Sequence, residues 1–324
     1  MSLARTVDLA RGVARKAGAG RALLRLQRAY RFGLKVEVDT LVARTRYLKA
    51  VVDLPPLDAG AGKLDCFMLL NGPRFWEGLW SLYSFRFHFG ACRLVVLNDG
   101  TLNPASIARL HALFPGIAVP DFNALNERVA AYLAGRRLHR CAEWRRRCVL
   151  FRKVTDPVAL AAGNPVLLLD SDCLHFARPQ ETQEWTERPE KILYIRDVAR
   201  HSLCGPADEL ARICGQPLPD YFCSGYLGLP QSAVNLEQIE TYLAEDVFER
   251  QRAHGFSHFA EQSLLAMQAA VQGAQALPPR YATCPDPRAG DVVMGHFCGG
   301  APTRTWFYTL GLPLMRAQLA AAAS

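Results

Sequence analysis

Apolar positions along the chain change period more than once. Leu23, Leu26, Tyr30 and Leu34 recur at steps of three and four, while Arg21, Arg25, Arg28 and Arg31 take another face. That spacing predicts a basic amphipathic helix. Pro55-Pro56 and Asp58-Ala59-Gly60-Ala61-Gly62 then read as a linker. From residue 64 short apolar runs alternate with helical patterns. Strands are predicted at residues 66–71, closed by Asn71-Gly72-Pro73, at 93–98, closed by Asp99-Gly100, and at 117–119. Between them residues 75–87 carry aromatics at helical spacing, and Asn103-Pro104 opens a helix that runs to Phe114. Later strands are predicted at 166–169 and 291–297. Strands alternating with helices imply an α/β chain with a largely parallel sheet. In such sheets the ligand crevice lies at the carboxyl ends of the strands, so Asn71, Asn98 and Asp99 point at it.

Composition narrows the class. Of 324 residues half are hydrophobic and 21% charged, too apolar for a disordered chain and long enough to bury a full core. The net charge of +8 is uneven: residues 1–50 hold 12 Lys+Arg against 3 Asp+Glu, and the other 274 hold 26 against 27. We therefore divide the chain into a basic helical extension with linker, residues 1–60, and an α/β domain, residues 61–324. The surplus belongs to the extension and suits an anionic inner-membrane surface, bound through residues 1–50, better than nucleic acid. A second basic cluster, residues 136–153, lacks the interleaved aromatics of a single-strand binder and reads as a solvated helix. Its last members, Arg152 and Lys153, lie nearest the next strand, where they can meet phosphate. Ten cysteines without a Cys-x-x-Cys pair, several of them inside apolar runs, read as reduced thiols. No apolar run approaches the roughly 20 residues that span a bilayer. Charges break the first 20 residues too often for a signal peptide. The expected location is the cytoplasm, peripheral at the membrane.

The most informative segment is Val166-Leu167-Leu168-Leu169-Asp170-Ser171-Asp172. Four apolar residues make a buried strand, and alternation sends Asp170 and Asp172 to one side of its end, where both reach one divalent cation. Adjacent carboxylates repel and raise each other's proton affinity unless a cation neutralises them. Such an oxygen-rich site suits Mg²⁺ or Mn²⁺ carrying a diphosphate. The bland alternative is a solvated turn or helix cap. Haloacid-dehalogenase phosphatases also place Asp-x-Asp after an apolar strand, but near the start of the chain and with Thr or Val where Leu174 stands here.

The set of motifs resembles nucleotide-sugar glycosyltransferases of the GT-A fold, and most nearly glycosyltransferase family 8, the glycogenin and bacterial galactosyltransferase type. Besides Asp170-Ser171-Asp172, four segments over residues 64–310 are similar and in the family's order: residues 96–100, Phe151-Arg152-Lys153, the run 221–229 containing Cys223-Ser224-Gly225, and Glu261-Gln262. Cys223 stands where the family has Asn, and Glu261 where it has Asp. The resemblance implies a Rossmann-like, mixed and mostly parallel sheet flanked by helices. It implies a Mn²⁺ or Mg²⁺ site at Asp170, Asp172 and the late His296, and a UDP-sugar donor. Asn71 and Asp99 would lie near the base, with Arg152, Lys153, Ser171, Ser224, Gly225, Gly299 and Arg304 along the rest of the donor. Arg304 would take the place of the family's Lys on the diphosphate. Gln262 would lie near the anomeric carbon and Glu261 would orient sugar hydroxyls, in a reaction that retains configuration. With Glu261 as general base the reaction would invert instead, and at a helix start an acidic residue is favourable without any catalytic role. The acceptor would be a glycan, a lipid-linked group or a protein. The competing expectation is a non-catalytic scaffold of the same fold that binds an anionic surface through its extension.

Overall fold

The structure, a computed structural model, describes residues 29–30, 32–231, 233–254, 259–299 and 303–323. Within them nine strands form one sheet: β1 (Asp65–Leu70), β2 (Arg93–Asn98), β3 (Val166–Leu169), β4 (Cys173–His175), β5 (Ile192–Arg196), β6 (Phe222–Leu229), β7 (Ala274–Ala276), β8 (Tyr281–Thr283) and β9 (Met294–His296). The hydrogen-bonded order is β2-β1-β3-β6-β5-β8-β9-β4, with β7 beside β5. The pairs β1–β2, β1–β3, β5–β7, β5–β8 and β8–β9 are parallel, and β3–β6, β5–β6 and β4–β9 antiparallel. The fold is mixed α/β with a mostly parallel sheet, as expected.

Alternation along the first strands divides two cores. Cys66, Met68, Leu70, Leu94, Val96, Leu167 and Leu169 face one, packed with the helix Phe75–Phe89 and with Phe307, Leu312 and Met315. Phe67, Val95, Leu97, Val166 and Leu168 face the other, under the helices Phe122–Gly135, His139–Arg147, Arg152–Leu160 and Phe259–Gln272. With both faces covered, the strands read as near-continuous apolar runs.

Two expected strands are shorter than their patterns. Residues 117–119 make one bridge, Val95 to Ala118, because Pro120 has no N–H with which to extend the ladder. Of 291–297 only Met294–His296 pairs as a strand. Residues 55–62 are bound down: Leu57 N donates to Leu113 O at 2.9 Å, Ala59 N to Pro115 O at 2.8 Å, and Tyr83 Oη to Pro55 O at 3.0 Å. Before them the helix Leu34–Tyr47 buries Thr40 and Ala43 against the domain. The basic helix expected from Leu23 to Leu34 lies mostly outside the described residues. Among those described, no helix is long and apolar enough to cross a membrane.

The cluster at 136–153 is solvated as expected at Arg136, Arg137, Arg140, Arg146 and Arg147, which are exposed, while Arg145, Arg152 and Lys153 are buried. Arg136 pairs with Glu237 at 2.6 Å, Arg140 with Glu240 at 3.9 Å, and Arg145 with Asp156 at 2.6 Å. Acids distant in sequence thus pair with three of its arginines.

One link shapes the sheet. β3 and β4 stand third and eighth in the hydrogen-bonded order, yet only Asp170-Ser171-Asp172 joins them. A three-residue link spans roughly 10 Å when extended. The sheet must therefore curl until the end of its central strand meets the start of its last.

Two histidines, His175 in the core and the half-buried His88, carry buried ring nitrogens without hydrogen-bond partners among the described residues. Both ring nitrogens of His175, and Nε2 of His88, lack hydrogen bonds among the described residues. Burial pushes His88 down to about 4; burial and the neighbouring His88 push His175 well below the usual value. The unfolded chain therefore takes up these protons first, and stability falls as pH drops from the unfolded value of 6.5 towards 4. Each ring contributes up to about 1.4 kcal/mol per pH unit in that window. Urea unfolding from pH 7 to pH 5 should show this loss, and His175→Phe should flatten it; an equal slope in the variant contradicts the assignment.

Candidate active site

The site is assembled where β3 ends. Asp170 N donates to Gly225 O of β6 at 2.9 Å, and Asp170 O accepts from Ser81 Oγ at 2.9 Å. Strand parity carries the Asp170 side chain to the face of Leu168, where Arg152–Leu160 packs. Lys153 Nζ stands 2.9 Å from Asp170 Oδ1, 3.3 Å from Ser224 O and 3.1 Å from Glu261 Oε1, the last an ion pair outside hydrogen-bond alignment.

Asp172 is held from the far edge. β4 and β9 pair with Cys173 opposite His296, and Phe297 N donates to Asp172 O at 2.9 Å. His296 Nε2 then lies 3.2 Å from Asp172 Oδ1 and 3.8 Å from Asp170 Oδ2. Arg304 Nη2 meets Asp172 Oδ2 at 2.5 Å, while its buried Nε and Nη1 have no partner among the described residues. The His296 ring lies against the backbone of Gly225, where a Cβ would stand 2.2 Å from Cε1. Glycine is required there because a backbone and a ring approach too closely for any side chain.

β6 is irregular at the same place. Its register with β5 jumps from Leu227 opposite Tyr194 to Cys223 opposite Ile195, leaving Ser224, Gly225 and Tyr226 unpaired on that side. A bulge re-aims side chains, and here Ser224 turns to the helix Phe259–Gln272. Ser224 N donates to Gln262 Oε1 at 3.0 Å, Ser224 Oγ to Glu261 Oε2 at 3.2 Å, and Gln262 Nε2 to Ser202 O at 2.8 Å.

Asp170, Asp172, His296, Lys153, Glu261, Gln262, Ser224, Gly225 and Arg304 thus form one connected cluster. Other candidates lie around it. Ser171 is the half-buried middle of the link. Arg152, next to Lys153 in sequence, points away: its Nη1 donates to Asn98 O at 3.4 Å and its guanidinium covers the Phe122 ring at 5.0 Å. Asn71 and Asp99 meet at the ends of β1 and β2, each with a side-chain oxygen bound to its own loop, to Arg74 N and Thr101 N respectively. Gly299 is exposed in the turn before Arg304, with φ 78°. Sequence reasoning missed Ser81, a polar position on an otherwise apolar helix face, and Ser202, for which the sequence offers no signal. A cavity of about 680 Å³ beside Lys63, Arg178 and Glu187 opens near the start of β1 and takes no part in this cluster.

The electrostatics are those of a buried mixed-charge network. Burial opposes the charge on Lys153, but Asp170 and Glu261 raise its pKa above the usual lysine value. Burial pushes Glu261 up, with Lys153 acting against it. Burial also disfavours charge on Asp172 and His296; the contact between them prevails, lowering Asp172 and, with Cys173 and Cys223, raising His296 well above the usual histidine value.

The donor set fits a divalent cation. Two carboxylate oxygens and a neutral ring nitrogen are three acceptors, and at 3.2 and 3.8 Å they repel unless a proton or a cation lies among them. Ligands about 2.1 Å from a shared octahedral ion stand about 3 Å apart. Among the described residues the group whose ligand atoms all lie within 4.8 Å of one another is Asp172, Cys173 and His296, and Asp170 Oδ2 approaches it at 3.8 Å from His296 Nε2.

No family model matches the chain, and no curated protein matches it. Solved glycosyltransferases are similar to it. Mouse xyloside xylosyltransferase 1 in its apo form is 16% identical, with 76% of this chain and 99% of that one covered and a TM-score of 0.46. The galactosyltransferase LgtC, solved with donor and acceptor sugar analogs, is 16% identical over 80% and 95%, with a TM-score of 0.46. Core-mannan synthase A from Aspergillus fumigatus, in a Mn/GDP form, is 10% identical over 67% and 73%, with a TM-score of 0.45. At such scores the likeness says nothing of individual residues or substrates.

Removing the buried cation should cost far more than a surface pair. Lys153→Met leaves Glu261 and Asp170 uncompensated, and urea unfolding should show a loss of about 3–5 kcal/mol. Adding Glu261→Gln should restore part of it. A single variant as stable as the parent would rule out the network.

Proposed function

We propose that the protein is a metal-dependent glycosyltransferase of the GT-A type. It would move a sugar from a nucleotide diphosphate sugar, UDP-sugar first among them, to an acceptor hydroxyl with retention of configuration. The observation that carries the reading is the convergence of Asp170, Asp172 and His296 at the carboxyl end of a central strand, with Lys153 and Arg304 on either side.

Asp170, Asp172 and His296 would hold Mn²⁺ or Mg²⁺, which supplies charge neutralisation for a departing diphosphate. Arg304 spends Nη2 on Asp172, and its Nε and Nη1, without partners among the described residues, suit a phosphate oxygen. Lys153 pairs with Asp170 and orders Glu261 beside it. Ser224 fixes Glu261 and Gln262 against the bulge of β6, the arrangement a sugar held next to the cation needs. Retention is favoured over inversion because Glu261 is engaged by Lys153 and Ser224 and is not a free base.

Calorimetry with UDP is the test. Mn²⁺ should strengthen UDP binding, and Asp170→Asn or Asp172→Asn should reduce that metal-dependent affinity by at least about tenfold with the fold intact. Unchanged affinity in both variants would sink the reading.

A membrane surface is the partner we propose for the N-terminal part. The helix Leu34–Tyr47 exposes Leu34, Val38, Leu41 and Val42 on one side, next to a basic stretch. Deleting residues 1–50 should abolish sedimentation with anionic liposomes; sedimentation as before would exclude this role.

A further inference from the structure

The proposed cation site leaves one nitrogen of His296 unexplained. Nε2 faces Asp172 and Asp170, while Nδ1 faces the opposite way, into the interior. There Cys223 Sγ lies 3.4 Å from Nδ1, with Cys223 3% and His296 4% exposed. Gly225 backs the ring so closely that a Cβ there would stand 2.2 Å from Cε1 and 2.6 Å from Nδ1. Of the neighbouring thiols, Cys173 donates to Gly225 O at 3.4 Å, and Cys284 and Cys298 lie 4.0 Å from each other. Cys298 is the second thiol within hydrogen-bonding reach of the ring.

The two ring nitrogens constrain each other. A neutral imidazole carries one proton, and the nitrogen that carries it cannot ligate a cation. If Cys223 donated S–H to Nδ1, the ring proton would sit on Nε2 and block the face towards the carboxylates. If the sulfur accepts from Nδ1–H, Nε2 presents a lone pair to them. With the ring doubly protonated the sulfur again accepts. Accepting is therefore the role that serves the ring with and without a cation. Ligating histidines generally have such a partner on the second nitrogen, and losing it costs about 10–100-fold in metal affinity.

We propose that Cys223 is a positioning residue for His296: its sulfur accepts the Nδ1–H and reserves Nε2 for the cation shared with Asp170 and Asp172. This rests on the metal-dependent reading above and goes beyond it by assigning the thiol a task. The sulfur itself stays off the cation.

Mn²⁺ titration followed by electron paramagnetic resonance tests it on the full chain. Wild type should bind. Cys223→Ala should bind at least about tenfold more weakly, Cys223→Ser, which keeps an acceptor, should recover most of the loss, and Cys298→Ala should bind like wild type. Nitrogen-15 shifts of His296 in the Mg²⁺-loaded wild type should show the proton on Nδ1, a readout that stands even if Cys223→Ala does not fold. Wild-type affinity in a folded Cys223→Ala, a larger loss in Cys298→Ala, or a proton on Nε2 overturns the positioning role alone. A thiolate-to-metal absorption in Cd²⁺-loaded protein that disappears in Cys223→Ala also overturns it, by making the sulfur a ligand. A wild type that binds no Mn²⁺ overturns the metal-dependent reading, and this inference with it.

Discussion

The three residues Asp170-Ser171-Asp172 are the constraint on which the rest of the site depends. They join strands that are third and eighth in the sheet, so the sheet has to close on itself at this point. Closure brings β9 over β6 and lays the His296 ring on Gly225, the one kind of residue that leaves room for it. The same closure sets Asp172 beside Arg304, from the last part of the chain, and Asp170 beside Lys153, from the helix two elements before. A longer link would free the two edges and disperse these charges.

Close packing of charge is expensive away from water, and this cluster is arranged so that few of its charges stand alone. Lys153 is shared by Asp170 and Glu261; Asp172 is shared by His296 and Arg304. Breaking either group leaves a buried charge whose desolvation is no longer offset. The same economy explains the Arg136 to Arg147 region, where Glu237, Glu240 and Asp156 arrive from elsewhere in the chain. Its positive charge is prominent in sequence and partly paired with acids in space.

Much of this was legible in one dimension. The strand at Val166–Leu169, the acids after it, the helix at Phe75–Phe89 and the cap at Asn103 follow from period and residue type. Others were not. Residues 117–119 have the composition of a strand, but Pro120 limits them to one bridge. Residues 55–62 have the composition of a linker, but their backbone is hydrogen-bonded to the domain. Arg152 and Lys153 look interchangeable, yet one points to Asn98 and the other to Asp170.

The sequence by itself determined the strands β1, β2 and β3, their burial and the small set of polar residues placed at strand ends, because these depend on local period and on which side chains tolerate burial. Only the tertiary structure decided which of those residues meet. That depends on a bulge in β6, on the closure forced by a three-residue link and on a glycine beneath a histidine ring, all of them set by contacts between segments far apart in the chain. Cys223 marks the boundary: in sequence it is one of ten thiols, and in space its sulfur lies 3.4 Å from Nδ1 on the far side of a histidine in the candidate site.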